Sequence, residues 1–404
     1  MDSTAITKNI RNTWMSTTPI RTMVISLLVL GAMALPSTRA MAAAGVSLIN
    51  GPWSLDIQKP IFPSLILSTS MMKFPDPRVI GDPHSLVRIK ITPNVANANI
   101  QVTATVDGLA RTSEYDGTLG PANQTYTVAP TIRWKNSSLL NLFQPRPDTI
   151  TVAVSLNGIS LGSKTESVEI HSVNDVPFSI VNKGRVVDTS FLFAAFVNEN
   201  SPLVEQILQD ALHYKAVGQF VGYQEGPQQV MMQVFAIWNV LQHHHVRYSS
   251  ITPPSVNSTN FHSQTVRFIE QSWNSQQANC VDGSVLFASV LYKIGLYPVL
   301  VEIPGHMFIG YYTDQRDEGT LRNMQFLETT LVGVGELPHF NIPFGKILNL
   351  ATDSNSYREF IAATNEGDHE YNTEVLPELI RHAPGYDIID IQKARAVGIT
   401  PISE

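Results

Sequence analysis

The chain has 404 residues, 43% of them hydrophobic and only 15% charged, with a formal net charge of −7. That length suits two or three domains, and that composition excludes a disordered polyelectrolyte. The acidic balance, with a pI near 5.9, excludes the basic footprint of a nucleic-acid binder. A single cysteine, Cys280, excludes an internal disulfide and any cysteine-rich metal site.

Residues 1–44 read as a signal peptide. Lys8, Arg11 and Arg21 precede an apolar run from Met23 to Leu35, which is short for a bilayer span. Pro36 ends it, and Ala40-Met41-Ala42 and Ala42-Ala43-Ala44 follow as small-residue cleavage sites. An uncleaved anchor is the alternative, opposed by the length of the run. Cleavage implies export to the periplasm or the extracellular space, and no later segment is apolar enough to span.

Residues 62–172 read as an all-β sandwich of the Ig-like kind. Leu86–Ile91, Ile100–Val106 and Thr149–Val154 alternate near period two, and Asp107-Gly108, Asp116-Gly117 and Asn157-Gly158 are turn signals between strands. This module carries no cluster of His and carboxylates and reads as a spacer, binding or docking element. Residues 173–186, with Asn174-Asp175-Val176-Pro177, read as a linker.

From residue 187 to the end the period becomes helical. Ser201-Pro202 supplies an N-cap and a first-turn proline before Leu203, Val204, Ile207, Leu208, Ala211 and Leu212. Val230, Val234, Ile237 and Leu241 form a second stripe. A third helix starts at Cys280, behind the capping residue Asn279, and ends near Gly295. Strand-like runs follow at Pro298–Ile303, His306–Tyr312 and Gln325–Thr330. Helices followed by strands predict an α+β domain. Tyr357–Ala363 reads as helical, and the C-terminal region is expected to pack on the core without chemistry of its own.

Cys280 in a first helical turn sits where free N–H groups and the helix dipole favour a negative charge, the reactive form of a thiol. Asp282 opposes this unless it caps backbone N–H groups or points away. A thiolate also needs a base and a group that orients the base. His306 opens an apolar strand, and Glu328 lies in the next one, so antiparallel pairing puts both on one face. The alternative for Glu328 is an ion pair with Arg316 or Arg322. Tyr297, Phe308, Tyr311 and Tyr312 read either as cleft walls or as core.

Ala278-Asn279-Cys280-Val281-Asp282-Gly283-Ser284, Pro304-Gly305-His306-Met307-Phe308 and Phe326-Leu327-Glu328-Thr329-Thr330 together resemble the transglutaminase-like cysteine hydrolase superfamily, in a bacterial exported member. The resemblance runs from about Val187 to Gly333 and implies a papain-like α+β fold for residues 187–404. It implies Cys280 as nucleophile, His306 as general base and acid, and Glu328 as orienting carboxylate, where the family usually has Asp. The implied activity is cleavage or transfer of amide bonds through a thioacyl intermediate, on a peptide or other amide-containing substrate. The family also contains inactive relatives, so a silent binding or scaffold module of the cell envelope is the alternative. The Cys280 backbone N–H, Gln276, Gln277 and Trp273 are candidate oxyanion donors.

No cofactor or metal is implied. Consecutive residues on a helix diverge by about 100°, so His243-His244-His245 does not converge on one ion and reads as a solvated helix end.

Overall fold

The computed structural model describes residues 53–73, 75–182, 184–250, 256–334 and 354–403. The expected signal peptide lies outside the described residues. No helix among those described is long and apolar enough to cross a membrane. The described residues divide into two units, one holding Ser64–Met72 and those from Asn174 onward, the other residues 53–63 and Lys73–Val173.

The second of these units is built from strands. In chain order they are β1 (Ser54–Ile57), β2 (Val79–Gly81), β3 (Val87–Ile91), β4 (Asn99–Val106), β5 (Ala110–Arg111), β6 (Ser113–Thr118), β7 (Tyr126–Ala129), β8 (Arg133–Trp134), β9 (Arg146–Leu156) and β10 (Ile159–Ile170). Two four-stranded sheets result, in the orders β1-β3-β7-β2 and β10-β9-β4-β6. Each strand predicted here is present. Along β4, Ile100, Val102, Ala104 and Val106 are buried while their neighbours are more exposed, as period-two alternation requires. Asn157 and Gly158 both take positive φ in the two-residue β9–β10 turn, which matches the handedness of a tight hairpin.

Asp116-Gly117 is not a turn, however. Both residues lie within β6, paired with Gln101 and Ile100. Tyr115, two residues earlier, lays its ring over Gly117 where a Cβ would otherwise stand. A large aromatic covering a glycine lets that strand tolerate it.

The first unit contains α1 (Pro63–Ser68) and a sheet of order β12-β11-β15-β14, from β11 (Asp175–Asn182), β12 (Arg185–Asp188), β14 (Val256–Asn257) and β15 (Phe261–Thr265). Residues 173–186, expected as a linker, are therefore mostly strand. Pro177 reads as a breaker, but it sits where the β11–β15 register shifts, a bulge at which a missing N–H is tolerated.

Helix α3 (Pro202–His213) follows the expected cap, with Ser201 Oγ accepting from the Leu203 N–H. (The short helix Asn136–Leu140 of the other unit is α2.) Leu203, Val204, Ile207 and Ala211 are buried in α3, whereas Leu212 is 40% exposed at the edge of the stripe. Helix α4 (Pro227–His243) is buried along most of its length. A two-stranded parallel pair joins β13 (Arg247–Tyr248) to β16 (Gln277–Ala278). Then come α5 (Ile269–Ser275), α6 (Cys280–Lys293), and the sheet β19-β18-β17-β20, made of β17 (Pro298–Ile303), β18 (His306–Tyr312), β19 (Met324–Leu327) and β20 (Asp387–Asp390).

One side of this last sheet packs a core of Val299, Val301, Ile303, Phe308, Tyr312, Phe326, Tyr371 and Val375. Phe308, Tyr311 and Tyr312 are almost wholly buried, so they are core rather than cleft wall. Helix α7 (Ser354–Glu370) extends beyond the predicted Tyr357–Ala363. Among the described residues, α8 (Leu376–Ile380) and α9 (Ile391–Ala396) follow it.

Candidate active site

Cys280 is the first residue of α6, and Asn279 caps it. The Asn279 side chain accepts from the Asp282 N–H at 2.8 Å, and Asp282 Oδ2 accepts from the Asn279 N–H at 3.1 Å, a reciprocal capping box. Asp282 thus caps the helix. Its carboxylate also accepts from the Arg267 backbone N–H at 2.8 Å and from the Arg267 guanidinium at 3.0 Å. Burial pushes the Asp282 carboxyl upward, opposed by the backbone N–H groups and Arg267. The charge that stood against the thiol is tied to a guanidinium.

His306 is placed by the β17–β18 hairpin. Pro304 and Gly305 form its two-residue turn, with Gly305 at φ 79°, and Ile303 pairs with His306 directly across it. Proline followed by glycine with positive φ is the signature of a type II turn. The antiparallel β18–β19 register sets Ile309 against Leu327, so position 328 falls opposite Phe308, on the same face as His306.

His306 Nε2 and Glu328 Oε2 are 2.6 Å apart, and the ring donates to the carboxylate. The other Glu328 oxygen accepts from the Thr330 N–H at 2.8 Å and its hydroxyl at 2.6 Å. Glu328 is also the N-cap of the short helical turn Thr329–Leu331. Its longer side chain therefore serves both the cap and the imidazole. Arg316, one of the two rival partners, pairs with Asp314 instead.

The Cys280 side chain lies close enough to act on the His306 ring and favours its protonated form. Nε2 is engaged by Glu328. Burial opposes the imidazolium, but the Glu328 carboxylate and the Cys280 sulfur outweigh it and hold His306 well above the ordinary imidazole value. Burial likewise opposes the Glu328 carboxylate, and His306 and Thr330 outweigh it and hold the acid below its ordinary value.

The structure thus brings Cys280, His306 and Glu328 together. Helix α6 packs on the acid-bearing turn with little space to spare, since a Cβ on Gly283 would stand 2.8 Å from Thr329 Oγ1. Helix α7 holds the same segment from another direction. A Cβ on Gly367 would lie 2.7 Å from the Leu327 backbone nitrogen, the Glu328 N–H donates to the Ala363 carbonyl at 3.0 Å, and the Phe326 N–H donates to Asp368 Oδ1 at 2.9 Å.

Two further residues reach the site. Tyr248 is half-buried on β13, level with Ala278 in the β13–β16 pair. Burial raises its phenol, and the charges of Cys280, His306 and Glu328 all act on it, so it stands beside them as a neutral hydroxyl. Glu370, the last residue of α7, brings Oε2 within 3.8 Å of His306 Nε2. The C-terminal region therefore supplies a carboxylate to the site, contrary to its expected silence. Thr330 carried a sequence signal, a hydroxyl two residues after an acid. Tyr248 and Glu370 carried none, because pairing and docking distant in sequence bring them in.

Among the oxyanion candidates, Gln276 donates its side-chain amide to the His244 carbonyl, and Trp273 is stacked on His244 at 3.5 Å. The Cys280 backbone N–H stays at the helix mouth. The three histidines part company as expected: His243 stacks on Tyr214, His244 on Trp273, and His245 has a positive φ past the helix end.

Among the described residues, one group of side chains is gathered closely enough to hold a metal ion: His306, Glu328 and Glu370, with donor atoms within 4.8 Å of one another. In this structure Nε2 donates to Glu328, so an ion there would have to displace that proton.

No protein-family model matches the chain, and no curated protein does. A solved structure described as a "putative cysteine protease", from Cytophaga hutchinsonii, matches over 61% of this chain and 75% of that one, at 9% identity and a TM-score of 0.21. Likeness at that level carries no weight for fold or chemistry.

Proposed function

We propose that the protein is an exported cysteine-dependent hydrolase or acyltransferase of the transglutaminase-like type, acting on the amide bonds of a peptide or similar substrate. The observation that carries this reading is one imidazole hydrogen-bonded to Glu328 at 2.6 Å, with the lone cysteine, first residue of its helix, near enough to act on the same ring.

In this reading His306 takes the thiol proton as the Cys280 sulfur adds to the substrate carbonyl carbon, and the Cys280 backbone N–H meets the developing oxyanion. The C–N bond breaks as His306 passes a proton to the departing amine. Water, deprotonated by His306, then adds to the thioester, and the S–C bond breaks to release the acid and restore the thiol. An amine in place of water gives transfer instead. Glu328 keeps the ring oriented and stabilises the imidazolium. The two-sheet unit, in this reading an Ig-like sandwich, serves docking.

One observation favours the second reading, a catalytically silent binding module: Cys280 is only 9% exposed. Thiol labelling separates the two. Iodoacetamide at pH 7 should modify Cys280 in the native protein faster than in the urea-denatured chain. Equal or slower native labelling would favour the silent module.

A further inference from the structure

His306 faces two acids. Glu328 Oε2 meets Nε2 at 2.6 Å, and Glu370 Oε2 approaches the same nitrogen to 3.8 Å. Both carboxylates are buried, each at 4% exposure.

The separation of the two acids is set by backbone packing. Gly367, one turn before Glu370, presses on the backbone of Phe326–Glu328, and Ala363 accepts the Glu328 N–H. Immediately after Glu370 the helix widens into a π-helical turn, Tyr371–Val375. Such turns are rare and are concentrated at functional sites. Here the turn lets Tyr371 stack on Phe326, with ring centroids 3.8 Å apart and planes 16° from parallel. The helix therefore grips the segment that carries Glu328 both before and after Glu370.

We propose that Glu370 is a second positioning residue for His306, holding the ring from beside Glu328 and taking over its Nε2 hydrogen bond when Glu328 is lost. This rests on the cysteine-hydrolase reading, in which His306 alternates between imidazole and imidazolium. One acid keeps the hydrogen bond, and the other adds its charge to the field at the ring. An opposite charge at 4–6 Å moves a pKa by about 1–3 units.

The test is titration of the His306 ring by NMR in Cys280→Ala protein, which needs no turnover. Adding Glu370→Gln should lower the His306 pKa by about one unit. An unchanged value overturns the proposal. Should that variant not fold, Glu328→Gln in the same background decides: His306 should still titrate above 6.5, its ordinary value, because Glu370 has taken over. A fall to 6.5 or below overturns it. In the protein with Cys280 intact, the acidic limb of kcat/KM should move with Glu370→Gln while KM is unaltered. Failure of the hydrolase reading looks different: Cys280→Ala would keep full activity, and the ring titration would stand on its own.

Discussion

Replacing Glu302 with glutamine should make the protein more stable at neutral pH. Glu302 lies on β17, opposite Asp387 of β20. Ser190 Oγ lies 2.7 Å from Asp188 Oδ1 and 3.3 Å from Asp387 Oδ2. Burial, then the charges of Asp188 and Asp387, push the Glu302 carboxyl up from 4.5 to about 8. The unfolded chain releases this proton near 4.5, and the folded chain keeps it until about 8. Between those values the native state holds the extra proton, so stability falls as pH rises and levels off above the folded value. At about 1.4 kcal/mol per unit, the loss from pH 5 to pH 7 is about 3 kcal/mol. Glutamine has the same shape and no charge to expel. Urea unfolding followed by circular dichroism at pH 5 and pH 7 should show this fall in the wild type and its absence in Glu302→Gln. Equal slopes in the two proteins, or a variant less stable at pH 7, would refute the reasoning.

Gly367→Ala should cost about 1–3 kcal/mol by overpacking and lower activity with it, because the atoms in its way are the backbone of Leu327 and Glu328 and cannot rotate aside. Urea midpoints alongside turnover would show both effects, and a variant matching the wild type in each would contradict the packing account. Arg267→Met should cost about 3–5 kcal/mol, because it strands the fully buried Asp282 carboxylate without its cation. A loss below about 1 kcal/mol by the same method would mean that the capping N–H groups alone carry that charge.

The parts of the site that were legible in the sequence are those fixed by short-range chemistry. Asn279 before Cys280 marks a helix start because its side chain accepts a backbone proton within the same turn. The two strand-like runs Pro298–Ile303 and His306–Tyr312 are β17 and β18 as they stand, because short apolar runs buried on both faces suit central strands. The misreadings have local causes of the opposite kind. Asp116-Gly117 looks like a turn until Tyr115 covers the glycine, and Pro177 looks like a break until a partner strand supplies a bulge. Glu370 was beyond reach because only docking of α7 carries it to His306, and period and propensity hold no record of which helix a strand will meet.

The grip of α7 on Leu327 and Glu328 also orders events in time. During synthesis Cys280, His306 and Glu328 all leave the ribosome before the helix that clamps the last of them. If the chain folds as it emerges, every reacting group is present while its final brace is still missing. In the proposed reading a half-made enzyme is therefore a blunt one until the tail has docked.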